Sequence, residues 1–175
     1  MAEKQLYVSP KKRKICNITA AVIILTAVIF SLLCYFSVIP LDFSGIITGT
    51  ILAALGLIFF CNALLQGNSV SMWLAFCFLI PSAVSFLCRS GYASYRQLYP
   101  VYIALPGLAC LGAMIISREF ARLLKASLIF IIAGALFLPE VFGILSIGWT
   151  LAVLFLYIAA LITAFVIYLN KGEKK

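Results

Sequence analysis

Long apolar stretches without charge alternate with short polar segments along the whole chain. Each stretch approaches the roughly 20 residues that an α-helix needs to cross a hydrocarbon core about 30 Å thick. Because a backbone in lipid must satisfy its own hydrogen bonds, and because the stretches lack the alternating polarity of a barrel strand, we predict helices. The six predicted spans cover residues 18–39, 43–65, 70–88, 98–116, 123–142 and 147–169. The predicted fold class is all-α: a polytopic integral membrane protein with a bundle of about six transmembrane helices.

The polar segments between the spans are short and contain residues that end helices. Pro40 and Asp42 lie between the first two spans, and Gln66-Gly67-Asn68-Ser69 predicts a tight turn before the third. Connections this short make consecutive helices neighbours in one compact bundle. The predicted organisation is a basic amino-terminal segment, a six-helix membrane domain and a basic tail. These cover residues 1–17, 18–169 and 170–175.

The fifth span is the weakest of the six. Only 14 uncharged residues lie between Lys125 and Glu140, which is about 21 Å of helix. We therefore expect Arg122 and Lys125 to extend along the helix towards the headgroups, and Glu140 to lie below the outer headgroups.

Composition agrees with lipid as the solvent for most of the chain. Hydrophobic residues make up 65% of the sequence, charged residues make up 10%, and the mean hydropathy is +1.19. Soluble proteins carry about 25% charged residues. The net charge of +8 does not indicate nucleic-acid binding, because the basic residues lie in short clusters beside the apolar stretches.

The positions of Lys and Arg predict how the protein is oriented. If the amino terminus is cytoplasmic, eleven of the 13 basic residues lie inside and only Arg89 and Arg96 lie outside. This asymmetry follows the positive-inside rule. We expect a multi-pass protein of the inner (cytoplasmic) membrane with both termini cytoplasmic. The first apolar stretch is as long as a full span and has no A-x-A-like cleavage site after it, so we expect a retained helix.

Residues suited to catalysis or metal binding are scarce. The chain has no histidine, and its six cysteines contain no C-x-x-C pair, so neither a zinc site nor a Ser-His-Asp triad is expected. The five acidic residues are too scattered for a metal-dependent phosphotransferase. Most of the cysteines lie in apolar stretches, where the side chain packs as a small hydrophobe. We therefore expect no enzymatic activity, no cofactor and no metal.

Small residues recur on the second predicted span. Gly45, Gly49 and Ala53 are spaced four apart, and a face of this kind lets another helix backbone approach closely. The face predicts either packing within the bundle or contact with a membrane-protein partner or a second copy. Ala109 and Ala113 form a similar, weaker face on the fourth span.

The connection over residues 88–99 is the most distinctive polar segment. It contains Arg89 and Arg96, seven residues apart. Its tyrosines fall at helical spacing and are Tyr92, Tyr95 and Tyr99. A short interfacial helix would bury the tyrosine rings and direct both arginines at headgroup phosphates.

Two acidic residues lie near the membrane on the same predicted side. Glu140 and Asp42 each lie close to a proline at the end of a span. One interpretation is an interfacial charge at a turn, which water can reach. The alternative is a binding site for an anion or carboxylate, in which Arg89 and Arg96 act as clamps opposite Glu140 or Asp42.

A weak internal similarity relates the second and fifth spans. Residues 54–60 resemble residues 132–138, and each segment is followed by a short turn and a tryptophan, Trp73 or Trp149. The pattern is that of a duplicated helical hairpin.

Three apolar segments, 46–60, 98–107 and 128–138, carry a resemblance to a known group. They resemble the transmembrane hairpins of small bacterial envelope-stress membrane proteins of the LiaI/LiaF type, in which a Gly-rich helix precedes an aromatic-Pro entry into the next. The resemblance covers about half of the chain, which lacks the soluble carboxy-terminal domain of the LiaF members. It implies a non-enzymatic accessory membrane protein linked to envelope stress, and it implies no binding residue.

Two functions therefore stay open. The first is an accessory or regulatory protein that acts through helix–helix contacts in the envelope. The second is a small-solute binding or transport subunit, because six spans in 175 residues are similar to the substrate-binding component of energy-coupling-factor transporters. The layout is also similar to the six-span acid-resistance membrane family. A dry bundle favours the first function, and a water-filled outer cavity near Arg89, Arg96 and Glu140 favours the second.

Overall fold

The protein is an all-α polytopic membrane bundle. The structure is a computed structural model that describes residues 10–36, 43–117 and 120–172, with side chains described for 11–36, 46–117 and 120–164. Its helices are α1 (Pro10–Tyr35), α2 (Phe43–Gln66), α3 (Ser69–Arg89), α4 (Tyr95–Met114), α5 (Phe120–Ala135), α6 (Leu138–Val141) and α7 (Ile147–Gly172).

Within these residues, six helical segments are long and apolar enough to cross a membrane. They correspond to the six predicted spans, so the prediction of a multi-pass membrane protein is confirmed. The largest difference is at the first span, because α1 begins at Pro10, eight residues before the predicted start. The predicted break at Pro40 to Asp42 lies outside the described residues.

The fifth span consists of two helices instead of the one predicted over residues 123–142. α5 ends at Ala135, and the four-residue α6 begins at Leu138. Pro139 explains the break, because a proline ring has no N–H to donate and clashes with the carbonyl group four residues earlier, here that of Ala135. The chain closes the gap with a tighter bond, from the Phe137 N–H to the Gly134 carbonyl oxygen at 3.1 Å.

The predicted tight turn between α2 and α3 is confirmed and consists of only two residues. Gly67 has a φ of +67°, a left-handed conformation that glycine adopts without the steric cost of a Cβ. The Asn68 side chain then accepts a hydrogen bond from the Val70 N–H at 2.9 Å and so caps α3. A turn this short makes α2 and α3 an antiparallel hairpin.

The helices from α1 to α5 pack in chain order, each antiparallel to the next. Glycines mark the closest crossings: a Cβ built on Gly56 would lie 2.7 Å from Leu79 Cγ on α3, and one on Gly112 would lie 2.2 Å from Phe76 Cδ2. A Cβ on Gly107 would lie 2.6 Å from the Ser127 carbonyl oxygen on α5. At Gly107 the Cβ would meet the backbone of α5, so glycine allows this close approach, whereas at Gly56 and Gly112 it would first meet the side chains of Leu79 and Phe76.

The two hairpins that resemble each other in sequence pack differently. Gly56 and Gly134 are aligned by the similarity, yet Gly56 faces the following long helix, α3, whereas Gly134 faces the preceding one, α4, where a Cβ would lie 2.6 Å from Ala104 Cβ. The tryptophans differ as well, since Trp73 is half-buried and Trp149 is exposed. The similarity therefore does not extend to a repeated packing unit.

The antiparallel order places two different sets of side chains at the two ends of the bundle. One end, here called the basic end, carries the first turns of α1 and α5, with Lys11, Lys12, Arg13, Lys14, Arg122 and Lys125. The other, here called the tyrosine end, carries the α3–α4 connection and α6, with Arg89, Tyr92, Tyr95, Arg96, Tyr99 and Glu140.

Candidate functional site

The tyrosine end contains a polar contact between two spans. Tyr99 lies in the second turn of α4, and Glu140 lies in the short helix α6. The Tyr99 hydroxyl donates a hydrogen bond to Glu140 Oε2. The Tyr99 ring also packs edge-on against Phe137, with 5.8 Å between the ring centroids. The contact therefore combines a charge-assisted hydrogen bond with an aromatic pair.

Glu140 lies directly after the helix break, in α6. α6 contacts α4, and Phe137, which precedes α6, is only 7% exposed. The half-buried carboxylate thus has a hydrogen-bond donor, as expected for an ionisable group at the edge of a membrane.

The α3–α4 connection does not contain the predicted interfacial helix. α3 continues to Arg89, the chain turns at Gly91 with φ of +79°, and α4 begins at Tyr95. The Ser94 N–H donates to Gln97 Oε1 at 3.0 Å, and this cap starts α4. Tyr95 and Tyr99 consequently lie on α4, whereas Tyr92 lies in the turn and is 84% exposed.

The predicted clamp residues are only partly brought together. Arg89 is the last residue of α3 and Arg96 the second of α4; both side chains are exposed, one on each side of the turn. Arg96 precedes Tyr99 by three residues, so the two side chains share one helix face near Glu140. Asp42 lies outside the described residues, and Glu140 bonds to Tyr99, a partner that was not predicted.

Serine side chains provide further polar links between spans. Ser82 Oγ donates to the Gly49 carbonyl oxygen at 2.8 Å in a buried contact between α3 and α2. Ser85 Oγ and the Tyr95 hydroxyl lie 3.4 Å apart, which joins α3 to α4. These links lie in the half of the membrane next to the tyrosine end.

The small-residue face of α2 packs within the bundle at the positions described. A Cβ on Gly49 would lie 3.3 Å from Phe86 Cζ on α3. The similar face of α4 is also internal, with Ala109 and Ala113 buried. Gly45 lies in α2, but its surroundings lie outside the described side chains. Gly49 therefore takes part in the packing between α2 and α3.

Two apolar grooves follow α1 on either side of its contact with α2. The larger has a volume of about 560 Å³ and runs from Ile24 to Tyr35, and the smaller has about 270 Å³. Ala27, Thr50 and Ala54 border both grooves. Thr50 is 6% exposed, and its hydroxyl has no hydrogen-bond partner in the described structure.

A third groove, of about 190 Å³, lies between α4 and α5 and is lined by apolar side chains. Arg89, Arg96 and Glu140 line none of these three grooves. Among the described residues no three His, Cys, Asp or Glu side chains come together in a way that could hold a metal ion. No protein-family model, curated protein or solved structure matches the chain.

Proposed function

We propose that this protein is a non-enzymatic accessory or regulatory membrane protein that acts through helix–helix contacts in the envelope. The observation that carries the proposal is the apolar surface along α1. α1 is the first helix of the packed row and is among the least buried of the six spans, and grooves flank its contact with α2. We infer that a transmembrane helix of a partner protein packs into the larger groove.

The shape and chemistry of this groove support a helix as its occupant. It extends over residues 24–35 of α1, which is about 16 Å or three helical turns. Small residues line its floor, since Ala27 and Ala54 lie where α1 and α2 meet. Association in lipid depends on close packing of this kind, because lipid chains are as apolar as the helices themselves.

The described grooves favour this function over a solute-binding or transport subunit. A pocket for a polar solute needs polar groups directed into it, whereas the three grooves have apolar linings. The carboxylate at the tyrosine end is hydrogen-bonded to Tyr99 instead. A solute that co-purifies with the protein in equal amount and is lost in Arg96→Gln would reverse this preference.

Photo-crosslinking in the native membrane tests the proposed contact. A photoreactive residue at Val28 or Ile51, both exposed in the larger groove, is expected to form a discrete adduct with another membrane protein. The same residue at Ile132, exposed on α5, serves as the control position and is expected to react with lipid alone. Lipid adducts at all three positions would contradict the proposal.

A groove-filling substitution makes the test specific. Ala54→Leu places a larger side chain between the two grooves and is expected to abolish the protein adduct. Ala83→Leu is the matched control, because Ala83 is an exposed alanine on α3. Both variants must keep the helical content and the detergent elution volume of the unmodified protein. An adduct that persists in Ala54→Leu would show that the partner binds elsewhere.

We further propose that the protein lies in the inner (cytoplasmic) membrane with both termini in the cytoplasm. The basic end carries Lys11–Lys14 and Lys125, whereas the tyrosine end carries Arg89 and Arg96, and this is the asymmetry that the positive-inside rule favours. A single cysteine at position 120, in a variant without the native cysteines, should resist an impermeant reagent applied outside the cell. Rapid labelling of that cysteine would overturn the orientation.

The link to envelope stress rests on the sequence resemblance to the LiaI/LiaF type. Deleting the protein from its host should change the response to antibiotics that damage the cell envelope, and Ala54→Leu should reproduce that change. A wild-type response in both strains would remove the basis for this part of the proposal.

A further inference from the structure

The first turn of α1 has an unfavourable charge distribution for a helix. α1 begins at Pro10, so Lys11, Lys12, Arg13 and Lys14 lie among its first five residues, and its first turn contains no acidic residue. The amino-terminal end of a helix carries a positive partial charge, because its first N–H groups have no partner within the helix, and it is stabilised by anions. Four cations at this position therefore repel both the helix dipole and one another.

A second helix of the basic end also carries cationic side chains near its start. α5 begins at Phe120 and has no acidic residue in its first turn, while Arg122 and Lys125 are exposed within its first two turns. α1 and α5 both begin at this end because the helices from α1 to α5 alternate in direction. The basic end thus combines two positive helix ends with two groups of cationic side chains.

The length of α1 indicates how deep Lys11, Lys12, Arg13 and Lys14 lie relative to the membrane. α1 has 26 residues, which is about 39 Å, and a hydrocarbon core of about 30 Å accounts for 20 of them. If Tyr35 lies at one surface of the core, the other surface falls near Cys16. Lys11, Lys12, Arg13 and Lys14 then lie at the level of the lipid phosphates.

These four side chains surround the helix instead of forming one stripe. Consecutive helical residues are about 100° apart, so four of them cover the full circumference. All four are exposed, and α1 packs mainly against α2. The arrangement is a cationic ring, here called the basic collar and defined as Lys11, Lys12, Arg13 and Lys14, which is open to the surrounding headgroups.

We propose that the basic collar is a binding site for anionic phospholipid headgroups of the leaflet at the basic end. The lipid phosphates supply the negative charge that the first turn of α1 lacks and accept hydrogen bonds from the lysine and arginine side chains of the collar. Preference for anionic lipid is a property separate from the helix–helix function and does not depend on it.

Competition between lipids tests the site on the full-length protein. The protein is purified in mild detergent and incubated with equal amounts of phosphatidylglycerol and phosphatidylcholine, and native mass spectrometry measures the lipid retained. Wild-type protein is expected to retain phosphatidylglycerol preferentially. The double variant Lys12→Gln, Lys14→Gln should lower the apparent affinity about 30-fold, given the contribution of each basic residue at an anionic surface.

The matched control removes two charges from the tyrosine end. Arg89→Gln, Arg96→Gln has the same net charge as the collar variant, so it is expected to keep the phosphatidylglycerol preference. An equal loss in both variants would mean that total charge, not the collar, attracts the lipid, and would overturn the proposal. Retention unchanged in the collar variant would overturn it as well.

Two measurements on wild-type protein remain decisive if a variant fails to fold. Raising the salt concentration should release phosphatidylglycerol and leave phosphatidylcholine retention unchanged, because the binding is electrostatic; equal effects on both lipids contradict the site. Inorganic phosphate at the same concentration as the lipid, and at constant ionic strength, should leave phosphatidylglycerol bound, because the free ion lacks the acyl chains that hold the lipid against the helix. Full displacement under these conditions would show that the collar binds the free ion and would overturn the lipid assignment.

Discussion

The hydrogen bond between Tyr99 and Glu140 provides the most direct test of the structure. Tyr99→Phe removes the hydroxyl that donates to Glu140 Oε2 and keeps the ring that packs edge-on against Phe137. The substitution therefore changes the hydrogen bond and leaves the aromatic contact in place. Its effect on stability should measure how strongly α6 is held against α4.

The expected magnitude follows from where the carboxylate lies. A hydrogen bond to a charged group contributes about 1.5–3 kcal/mol in proteins, whereas hydrogen bonds between transmembrane helices average about 0.6 kcal/mol. Glu140 is half-buried near a helix end, so water compensates part of the loss. We expect Tyr99→Phe to lower the free energy of unfolding by about 1–2 kcal/mol.

Unfolding in mixed micelles, with increasing amounts of a denaturing detergent, measures this free energy. Tyr92→Phe is the matched control: the same hydroxyl is removed from a side chain that is 84% exposed in a turn, so no measurable change is expected. A double-mutant cycle with Glu140→Gln then isolates the pairwise energy. Equal effects of Tyr99→Phe and Tyr92→Phe, or a coupling energy of zero, would refute the contact.

Three further predictions use the same unfolding assay. Gly134→Val should lower the free energy of unfolding by about 1–3 kcal/mol because its Cβ would overlap Ala104 on α4. The control, Ala135→Val, changes an exposed residue and should have little effect. Equal losses in the two variants would contradict the α4–α5 packing. Asn68→Ala should cost about 1 kcal/mol through the lost cap of α3, and an unchanged stability would argue against that cap. Thr50→Val should be neutral or stabilising, since it replaces a buried hydroxyl that has no partner, and a clear loss would reveal a hydrogen bond at this position.

The spans could be predicted from the sequence because lipid constrains the chain at every residue. An apolar stretch of about 20 residues has one stable conformation in a membrane, and this holds before any contact forms. The span predicted to be weakest, which has the shortest uncharged run, is also the span whose helix breaks, between Ala135 and Leu138. The proline was visible in the sequence, but its effect on the face presented by Glu140 depends on the packing against α4.

The predicted interfacial helix was wrong because the helical spacing of the tyrosines does not by itself define where a helix begins or ends. Tyr92, Tyr95 and Tyr99 do fall at helical intervals, but Gly91 takes a left-handed conformation that ends the helix before them. The sequence contained a signal for the start of α4, since Ser94 and Gln97 have the spacing of a capping box. This capping box predicts that α4 begins at Tyr95, after the turn that contains Tyr92.

The candidate site could not be predicted because its partners are distant in sequence. Tyr99 and Glu140 are 41 residues apart, and apolar helices carry little information about which faces meet. Arg89 and Arg96 have a charge opposite to that of Glu140. In the structure, however, the Tyr99 hydroxyl contacts the Glu140 carboxylate instead.

The glycine contacts of the bundle bear on the proposed partner site at α1. In lipid, helices associate through tight packing, since burial of apolar surface gives no advantage over contact with lipid chains. The closest approaches, at Gly56, Gly107, Gly112 and Gly134, all lie between α2, α3, α4 and α5. α1 contains no glycine among its described residues, and it packs against α2 beside the two grooves. In the proposed function, a partner helix that enters the larger groove displaces lipid from exposed side chains of α1 such as Val28 and Leu32.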